Sequence, residues 1–183
     1  MENKFALYTF FDDNFILTGL TMINSFLENN EWFNGDIVVL CDEGKFCPLS
    51  EDNRDLLLKF DNRIKVKEVN SSDYQPIWDN LSQKLSNAFM SCYYKLEVFK
   101  KDDYSVKFFI DADSCFINNV RELFFIENMP KILLCKDTVS QGYLHEDYIV
   151  KRTDYYANMG FLLVNGDLLT EMILMMFFLF VLQ

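Results

Sequence analysis

The chain has 183 residues, half of them hydrophobic and 19 of them phenylalanine, which is enough apolar sequence for one domain with its own core. Its formal net charge of −11 excludes a nucleic-acid partner, because binding to a phosphate backbone requires a basic face. The five cysteines include no CxxC pair, Cys92 and Cys115 lie in apolar surroundings, and no signal peptide precedes the first strand. These features predict reduced core thiols in a cytoplasmic protein.

The first third of the chain alternates between strand and helix patterns. Apolar runs predict strands over 5–11, 36–41 and 64–69, and apolar residues at helical spacing predict helices over 15–29 and 50–60. Strand, helix, strand, helix, strand is the order of a doubly wound α/β domain. We therefore expect a mostly parallel sheet with helices on both faces.

Local residue types add detail to these elements. Asp13 or Asn14 is predicted to cap the first helix, and Leu56, Leu57 and Phe60 are predicted to face inward from the second. The turn after the first strand contains no glycine, so neither a dinucleotide-binding fingerprint nor a P-loop is present.

The middle of the chain carries a weaker pattern. Residues 70–88 are polar and predict irregular structure. Residues 89–101 predict a helix whose apolar face carries Phe89, Cys92, Tyr93, Leu96 and Phe99. Lys95 lies in the middle of this helix. It is either a surface lysine with a buried stem or a contact to a phosphate.

The last part of the chain contains further short elements. We predict a helical turn over 120–124, strands over 131–135 and 160–164, and a helix from Gly166. The polar stretch 136–157 is predicted to be a flexible loop over a site.

The stretch that carries chemistry is a buried strand over 106–110 followed by Asp111, Ala112 and Asp113. Ligands of α/β sheets bind at the carboxyl ends of the strands. If the backbone stays extended, two carboxylates at i and i+2 project the same way and repel each other unless a cation lies between them. The pattern favours a divalent metal that itself holds a phosphate, although an isolated Asp-x-Asp also occurs in turns and helix caps.

Four stretches in this order resemble glycosyltransferase family 8, which includes glycogenin and bacterial lipopolysaccharide galactosyl- and glucosyltransferases. The third is the acidic strand, the second is like the family's Tyr-x-Arg/Lys-Leu helix, and the fourth is like its Asn-x-Gly-x-x-x-x-Asn element. The stretches are 6–15 (ALYTFFDDNF), 91–96 (SCYYKL), 108–113 (FFIDAD) and 158–165 (NMGFLLVN).

The resemblance implies a GT-A fold and a retaining, metal-dependent hexosyltransferase. The donor would be a UDP-sugar such as UDP-glucose or UDP-galactose, the metal Mn²⁺ or Mg²⁺, and the acceptor a glycan, a lipid-linked sugar or a protein. Carried over by position, the resemblance assigns uridine contacts to Thr9, Phe10 and Asp12, the diphosphate and donor sugar to Lys95, the ribose and metal to Asp111, the metal to Asp113, and sugar contacts to Asp137 and Asn158. Lys95, Asp137 and Asn158 would form the catalytic set.

The resemblance also implies a single domain over 1–183. Its nucleotide-binding part would be 1–115, and the acceptor and catalytic part would start over 116–170. An apolar tail, 171–183, does not look like family sequence. The family's third metal ligand, a histidine near the end of the domain, has no counterpart, since His145 lies elsewhere. We therefore expect a truncated or frame-shifted product that lacks the C-terminal part, and its turnover is an open question.

Two other interpretations stay open. Haloacid dehalogenase-like phosphatases also carry an apolar strand followed by Asp-x-Asp, and 162–167 with Glu171 loosely imitates their second motif, although two βα units here precede Asp111. The chain could also be a non-catalytic fragment that binds nucleotide sugars. The apolar tail is shorter than the ~20 residues that span a bilayer, and its lack of Lys and Arg disfavours a peripheral membrane contact.

Overall fold

The computed structural model describes residues 4–81, 87–128, 131–136 and 157–165. In this part of the chain six strands form one sheet in the order β3-β2-β1-β4-β6-β5. The strands are β1 (Phe5–Phe10), β2 (Asp36–Cys41), β3 (Ile64–Glu68), β4 (Val106–Ile110), β5 (Ile132–Lys136) and β6 (Ala157–Asn165).

The sheet is mostly parallel, as predicted. Strands β1 to β4 run in one direction, with Tyr8 of β1 opposite Val38 of β2 on one side and Phe109 of β4 on the other. Strand β6 is antiparallel to β4, and β5 is antiparallel to β6. We call the end at which β1, β2 and β4 finish, at Phe10, Cys41 and Ile110, the carboxyl end of the sheet, and the opposite end the amino end.

Helical segments cover both faces of the sheet. The α-helices are α1 (Ile16–Asn29), α2 (Glu51–Phe60), α3 (Gln75–Leu81) and α4 (Arg121–Phe124), and 3₁₀ segments span Asp13–Phe15, Ser71–Tyr74 and Asn87–Phe99. Among the described residues, no helix is both long and apolar enough to cross a membrane.

Alternation along the strands creates two apolar cores. In β1, Leu7 faces the core beneath α1, whereas its neighbour Tyr8 faces the core beneath the 3₁₀ segment Asn87–Phe99. The first core also holds Met22, Phe26, Val39, Leu57 and Phe108, and the second holds Val38, Trp78, Tyr94, Val98 and Phe109. Strand β4 is buried along its whole length, as predicted.

Three predictions about the helices were wrong. The cap of the first helical turn is Asp12, whose carboxylate accepts the N–H groups of Asn14 and Phe15. In α2 only Leu57 is buried, because this ten-residue helix turns one narrow stripe towards the sheet. Leu56 and Phe60, which were predicted to face inward, are exposed. Residues 70–88 are not irregular where described: they form a 3₁₀ turn and α3.

The segment predicted as a helix over 89–101 is a 3₁₀ helix over Asn87–Phe99. With three residues per turn, Ser91, Tyr94 and Glu97 share its buried face. Cys92 is exposed and Tyr93 only partly buried, contrary to the prediction from helical spacing, whereas Leu96 and Phe99 are buried as predicted. Cys115, also predicted to be a core thiol, is exposed too.

Candidate functional site

The site predicted from the acidic strand lies at the carboxyl end of the sheet, between β1 and β4. These neighbouring parallel strands end at Phe10 and Ile110, so the residues that follow them leave the sheet side by side. The rings of Phe10 and Phe109 stack with centroids 5.9 Å apart and form an apolar floor there. Charged groups from two segments, Lys95 and Asp111, meet beside these rings.

Lys95 is the cation of this site. It comes from the 3₁₀ segment Asn87–Phe99, and its Nζ lies 3.3 Å from Oδ1 of Asp111. The same Nζ lies 5.3 Å from the ring centroid of Phe109 and 6.0 Å from that of Phe10. Only 13% of the Lys95 side chain is exposed. It is therefore a fixed positive charge held against the sheet and not a solvated surface lysine.

The two carboxylates after β4 differ in their surroundings. Asp111 donates its backbone N–H to the carbonyl of Gly160 in β6 (3.0 Å) and accepts the N–H of Ser114 (3.2 Å), so the chain turns here. The expected projection of Asp111 and Asp113 from extended backbone was therefore wrong. Asp113 is exposed, and within the described residues its carboxylate has no hydrogen bond or ion pair.

The donor set fits a divalent metal that also binds phosphate. No group of three His, Cys, Asp or Glu residues that could hold a metal occurs in the described part of the chain. Mg²⁺, however, is usually held by one or two carboxylates together with substrate phosphates and water. Asp113 has both carboxylate oxygens available, and Asp111 shares one of its oxygens with Lys95. These two residues would hold the ion.

The predicted uridine contacts lie on and beside β1. Asp12 follows the strand, and its carboxylate is bound by the N–H groups of Asn14 and Phe15 and by Asn14 Nδ2. Thr9 is fully buried, and its Oγ1 has no hydrogen-bond partner among the residues that the structure describes. Phe10 and Asp12 are partly exposed, whereas Thr9 is closed off from a ligand, and the uridine role of these residues stays a prediction.

Asn158, a further predicted residue, belongs to the other half of the sheet. Asn158 lies near the start of β6, two residues before Gly160, whose carbonyl accepts the N–H of Asp111. Its backbone therefore lies at the carboxyl end of the sheet, beside the acidic turn. Asp137 lies outside the described residues, as does His145.

Two acidic residues that the sequence analysis did not assign to the site organise the loops around it. Asp13 accepts hydrogen bonds from the Ser50 N–H (2.9 Å) and Asn53 Nδ2 (2.7 Å), which tie the turn after β1 to the start of α2. These bonds, first that of Asn53, lower the pKa of Asp13. Asp42, directly after β2, is buried and accepts the hydroxyl of Tyr94 at 2.6 Å. The sequence offered one signal for the role of Asp42: an aspartate at a strand end, followed two residues later by Gly44, is typical of a turn.

No family model and no curated protein sequence matches this chain. Solved structures do resemble it. The galactosyltransferase LgtC, in complex with donor and acceptor sugar analogs, aligns with a TM-score of 0.65 and 18% identity over 88% of this chain and 58% of that chain. Mouse xyloside xylosyltransferase 1 aligns with a TM-score of 0.57 and 12% identity over 88% of this chain and 67% of that chain.

The chain has the GT-A fold. A further GT-A neighbour is core-mannan synthase A from Aspergillus fumigatus, in an Mn/GDP form, with a TM-score of 0.52 and 9% identity over 74% of this chain and 42% of that chain. The present chain spans about 58% of the length of LgtC. At these identities the likeness establishes the GT-A fold of the described residues and confirms that part of the sequence analysis.

Proposed function

We propose that this chain carries the donor site of a metal-dependent, retaining glycosyltransferase of family 8. In this proposal a hexose moves from a UDP-sugar, such as UDP-glucose or UDP-galactose, to a glycan, lipid-linked or protein acceptor. The observation that carries the proposal is the juxtaposition of Lys95, Asp111 and Asp113 at the carboxyl end of a GT-A sheet.

Charge complementarity supports a nucleoside diphosphate as the ligand. A chain with a net charge of −11 needs local positive charge to bind a polyanion. Lys95 supplies one such charge, already desolvated and aimed at the acidic turn. A divalent ion held by Asp111 and Asp113 would supply the second. Phe10 and Phe109 give an apolar floor of the kind that ligand pockets use beside a few placed polar groups.

The hard step of such a transfer is departure of the nucleoside diphosphate from the anomeric carbon. When bound, a divalent ion supplies a Lewis acid for the phosphate oxygens on which negative charge develops. Lys95 would add a hydrogen-bond donor and a fixed charge for the same oxygens, and in this position it needs little reorganisation during the reaction. Asp111 would orient Lys95 through their ion pair. Asn158 and Asp137 are proposed to contact the donor sugar.

The sheet topology disfavours the phosphatase interpretation. Strand β6 is antiparallel to β4, with Asn165 opposite Val106, so β6 ends at the amino end of the sheet. The stretch that imitates the second phosphatase motif, 162–167, begins with the last residues of β6 and so leaves the sheet at the amino end, whereas Asp111 lies at the carboxyl end. The two motifs would therefore start from opposite ends of β4, about 16 Å apart at the usual rise of a strand.

The proposal is tested by calorimetric titration of UDP into the protein with and without Mn²⁺. We expect metal-dependent binding to the wild-type chain. The Asp113→Asn variant should bind at least about 10-fold more weakly. Mutation of residues that only support a metal ligand already lowers metal affinity by about that factor. The matched control is Asp103→Asn, which changes an exposed aspartate before β4, at the amino end, and should bind as the wild type does.

Equal binding by the two variants, or no binding by the wild type, would contradict the proposal. Incubation with UDP-glucose or UDP-galactose and a sugar acceptor then separates a transferase from a chain that only binds, because only the transferase forms a glycoside. Hydrolysis of a generic phosphomonoester, lost in Asp111→Asn, would support the phosphatase instead.

A further inference from the structure

A buried carboxylate fixes the loop after β2. Asp42 is 1% exposed, and its two oxygens accept the backbone N–H groups of residues 44–47 at 2.8–3.2 Å. A fifth donor, the hydroxyl of Tyr94, bonds to Oδ2 at 2.6 Å. Burial alone would raise the pKa of Asp42, but the hydrogen bonds from Tyr94 and the backbone outweigh it, and the pKa lies below its ordinary value. Asp42 is thus an ionised anchor.

The partner of this anchor is the residue directly before Lys95. In the 3₁₀ segment Asn87–Phe99 each residue is rotated by a third of a turn from the last. Tyr94, fully buried, therefore points into the second core while Lys95 points towards Asp111. The direction of the Lys95 side chain depends on the rotation of this segment about its own axis.

A second anchor lies one turn later. Glu97, which is 2% exposed, accepts the hydroxyl of Tyr74 at 2.7 Å and pairs with Lys67 at 3.1 Å and Lys100 at 2.6 Å. A 3₁₀ helix of 13 residues is unusually long, since most such helices extend for only three or four residues. Side-chain anchors on either side of Lys95 explain how the segment keeps one rotation.

We propose that Tyr94 and Asp42 are positioning residues for Lys95. Their hydrogen bond fixes the rotation of the segment and so holds the Lys95 ammonium at the acidic turn. Lys95 is then preorganised for a diphosphate and loses little side-chain entropy when one binds. The inference deepens the proposed function and rests on it for what Lys95 binds, but the arrangement of the three residues can be tested separately.

The variant that isolates the contact is Tyr94→Phe, which removes only the hydroxyl and leaves Asp42 its four backbone donors. Its matched control is Tyr104→Phe, because the Tyr104 hydroxyl also donates to an aspartate, Asp36, at 2.7 Å, but at the amino end of the sheet. Each change removes one hydrogen bond to a carboxylate, so both should lower stability by a similar amount. Only Tyr94→Phe should change the site.

The first measurement is a double-mutant cycle on UDP affinity. We expect Tyr94→Phe to weaken binding about fivefold, a typical size for coupled neighbours, and to have no further effect in a Lys95→Met background. Tyr104→Phe should leave affinity unchanged. Equal effects of Tyr94→Phe with and without Lys95 would overturn the inference, because the hydroxyl would then act on stability or on another part of the site.

The second measurement needs no nucleotide. The rate at which an amine-reactive reagent modifies Lys95, followed by peptide mass spectrometry, should rise severalfold in Tyr94→Phe and not in Tyr104→Phe. If the wild type fails to bind UDP but this rise is seen, the proposed function fails and the positioning role stands. If UDP binds and the rate is the same in both variants, the positioning role fails and the proposed function stands.

Discussion

The two ends of the sheet are closed by different chemistry. At the amino end, Phe5, Trp32, Phe33, Phe124 and Phe125 pack edge to face, with ring centroids 5.2–6.3 Å apart. At the carboxyl end, carboxylates lie in the loops around the stacked rings of Phe10 and Phe109. They fix loops at Asp13 and Asp42, orient a lysine at Asp111 and face solvent at Asp113.

This difference between the two ends indicates which residues stabilise the fold and which form the candidate site. Ring packing at the amino end buries apolar area, which stabilises the fold. Carboxylates that converge at the carboxyl end repel one another unless they have partners. They therefore stabilise the fold less than ring packing does, but they can bind a cation or orient a lysine. Variants at the amino end should therefore change unfolding, and variants at the carboxyl end should also change binding.

The largest effect is expected from Phe33→Ala. Phe33 is 1% exposed and packs against Phe26, Trp32 and Phe124, so the truncation leaves a cavity that should cost about 4 kcal/mol of unfolding free energy. Denaturant unfolding measures this loss. The control is Phe125→Ala in the same cluster, whose ring is 52% exposed and should cost much less. If folded Phe33→Ala bound UDP more weakly than the wild type, the separation of roles between the two ends would be wrong.

Two glycines, one near each end, sharpen the comparison. A Cβ on Gly35, just before β2, would collide with the backbone carbonyl oxygen of Phe5, which cannot move without disturbing β1. A Cβ on Gly19, in the first turns of α1, would collide with the ring of Phe11, which can shift. Gly35→Ala should cost about 3 kcal/mol. Gly19→Ala should cost about 1 kcal/mol, since alanine regains helix propensity.

The two glycine variants should also differ in their affinity for UDP. Phe11 precedes Asp12, so a shift of its ring in Gly19→Ala should weaken UDP binding, whereas Gly35→Ala should leave the affinity of the folded protein unchanged. Thermal unfolding and calorimetry on the two variants measure both quantities. A larger loss of affinity in Gly35→Ala than in Gly19→Ala would contradict the assignment of the site to the carboxyl end.

The sequence predicted those parts of the fold that depend on local pattern. Strands β1, β2 and β4 are apolar runs, and the position of Asp111 after β4 follows from the abrupt end of such a run. The direction of β6 could not be predicted in this way, because an apolar strand looks the same when it is parallel or antiparallel. Nor could the turn at Asp111, which depends on the contact of its N–H with Gly160.

The partners of buried polar residues could not be predicted from the sequence either. Lys107 occupies the fully buried strand β4, where its Nζ donates to the carbonyl of Lys100 at 2.7 Å and pairs with Asp102 at 3.2 Å. Tyr94 and Asp42 are 52 positions apart in sequence yet share a hydrogen bond. A buried charge is tolerated only with such partners. Since those partners come from separate segments, the pattern around each residue alone does not reveal them.

The prediction that depends on pH is that for Asp42→Asn. The substitution replaces a carboxylate with an amide that matches the surrounding donors poorly, so it should cost about 2 kcal/mol near pH 7. The pKa of Asp42 is lower in the folded protein than its ordinary value, which is about 3.9. The stability it contributes is therefore complete above that ordinary value and is lost as the pH falls towards the folded pKa.

Urea unfolding of the two proteins between pH 7 and pH 3 tests this prediction. The difference in unfolding free energy should be constant down to about pH 5 and should narrow below about pH 4. In that range the Asp42 carboxylate of the unfolded wild-type chain gains a proton, whereas that of the folded protein, with its lower pKa, stays ionised. Asp103→Asn controls for the loss of one negative charge. A difference that stays constant to pH 3 would show that Asp42 is not the ionised anchor of its loop. In that case Glu97 and its partners, and not Asp42, would hold Lys95 in position.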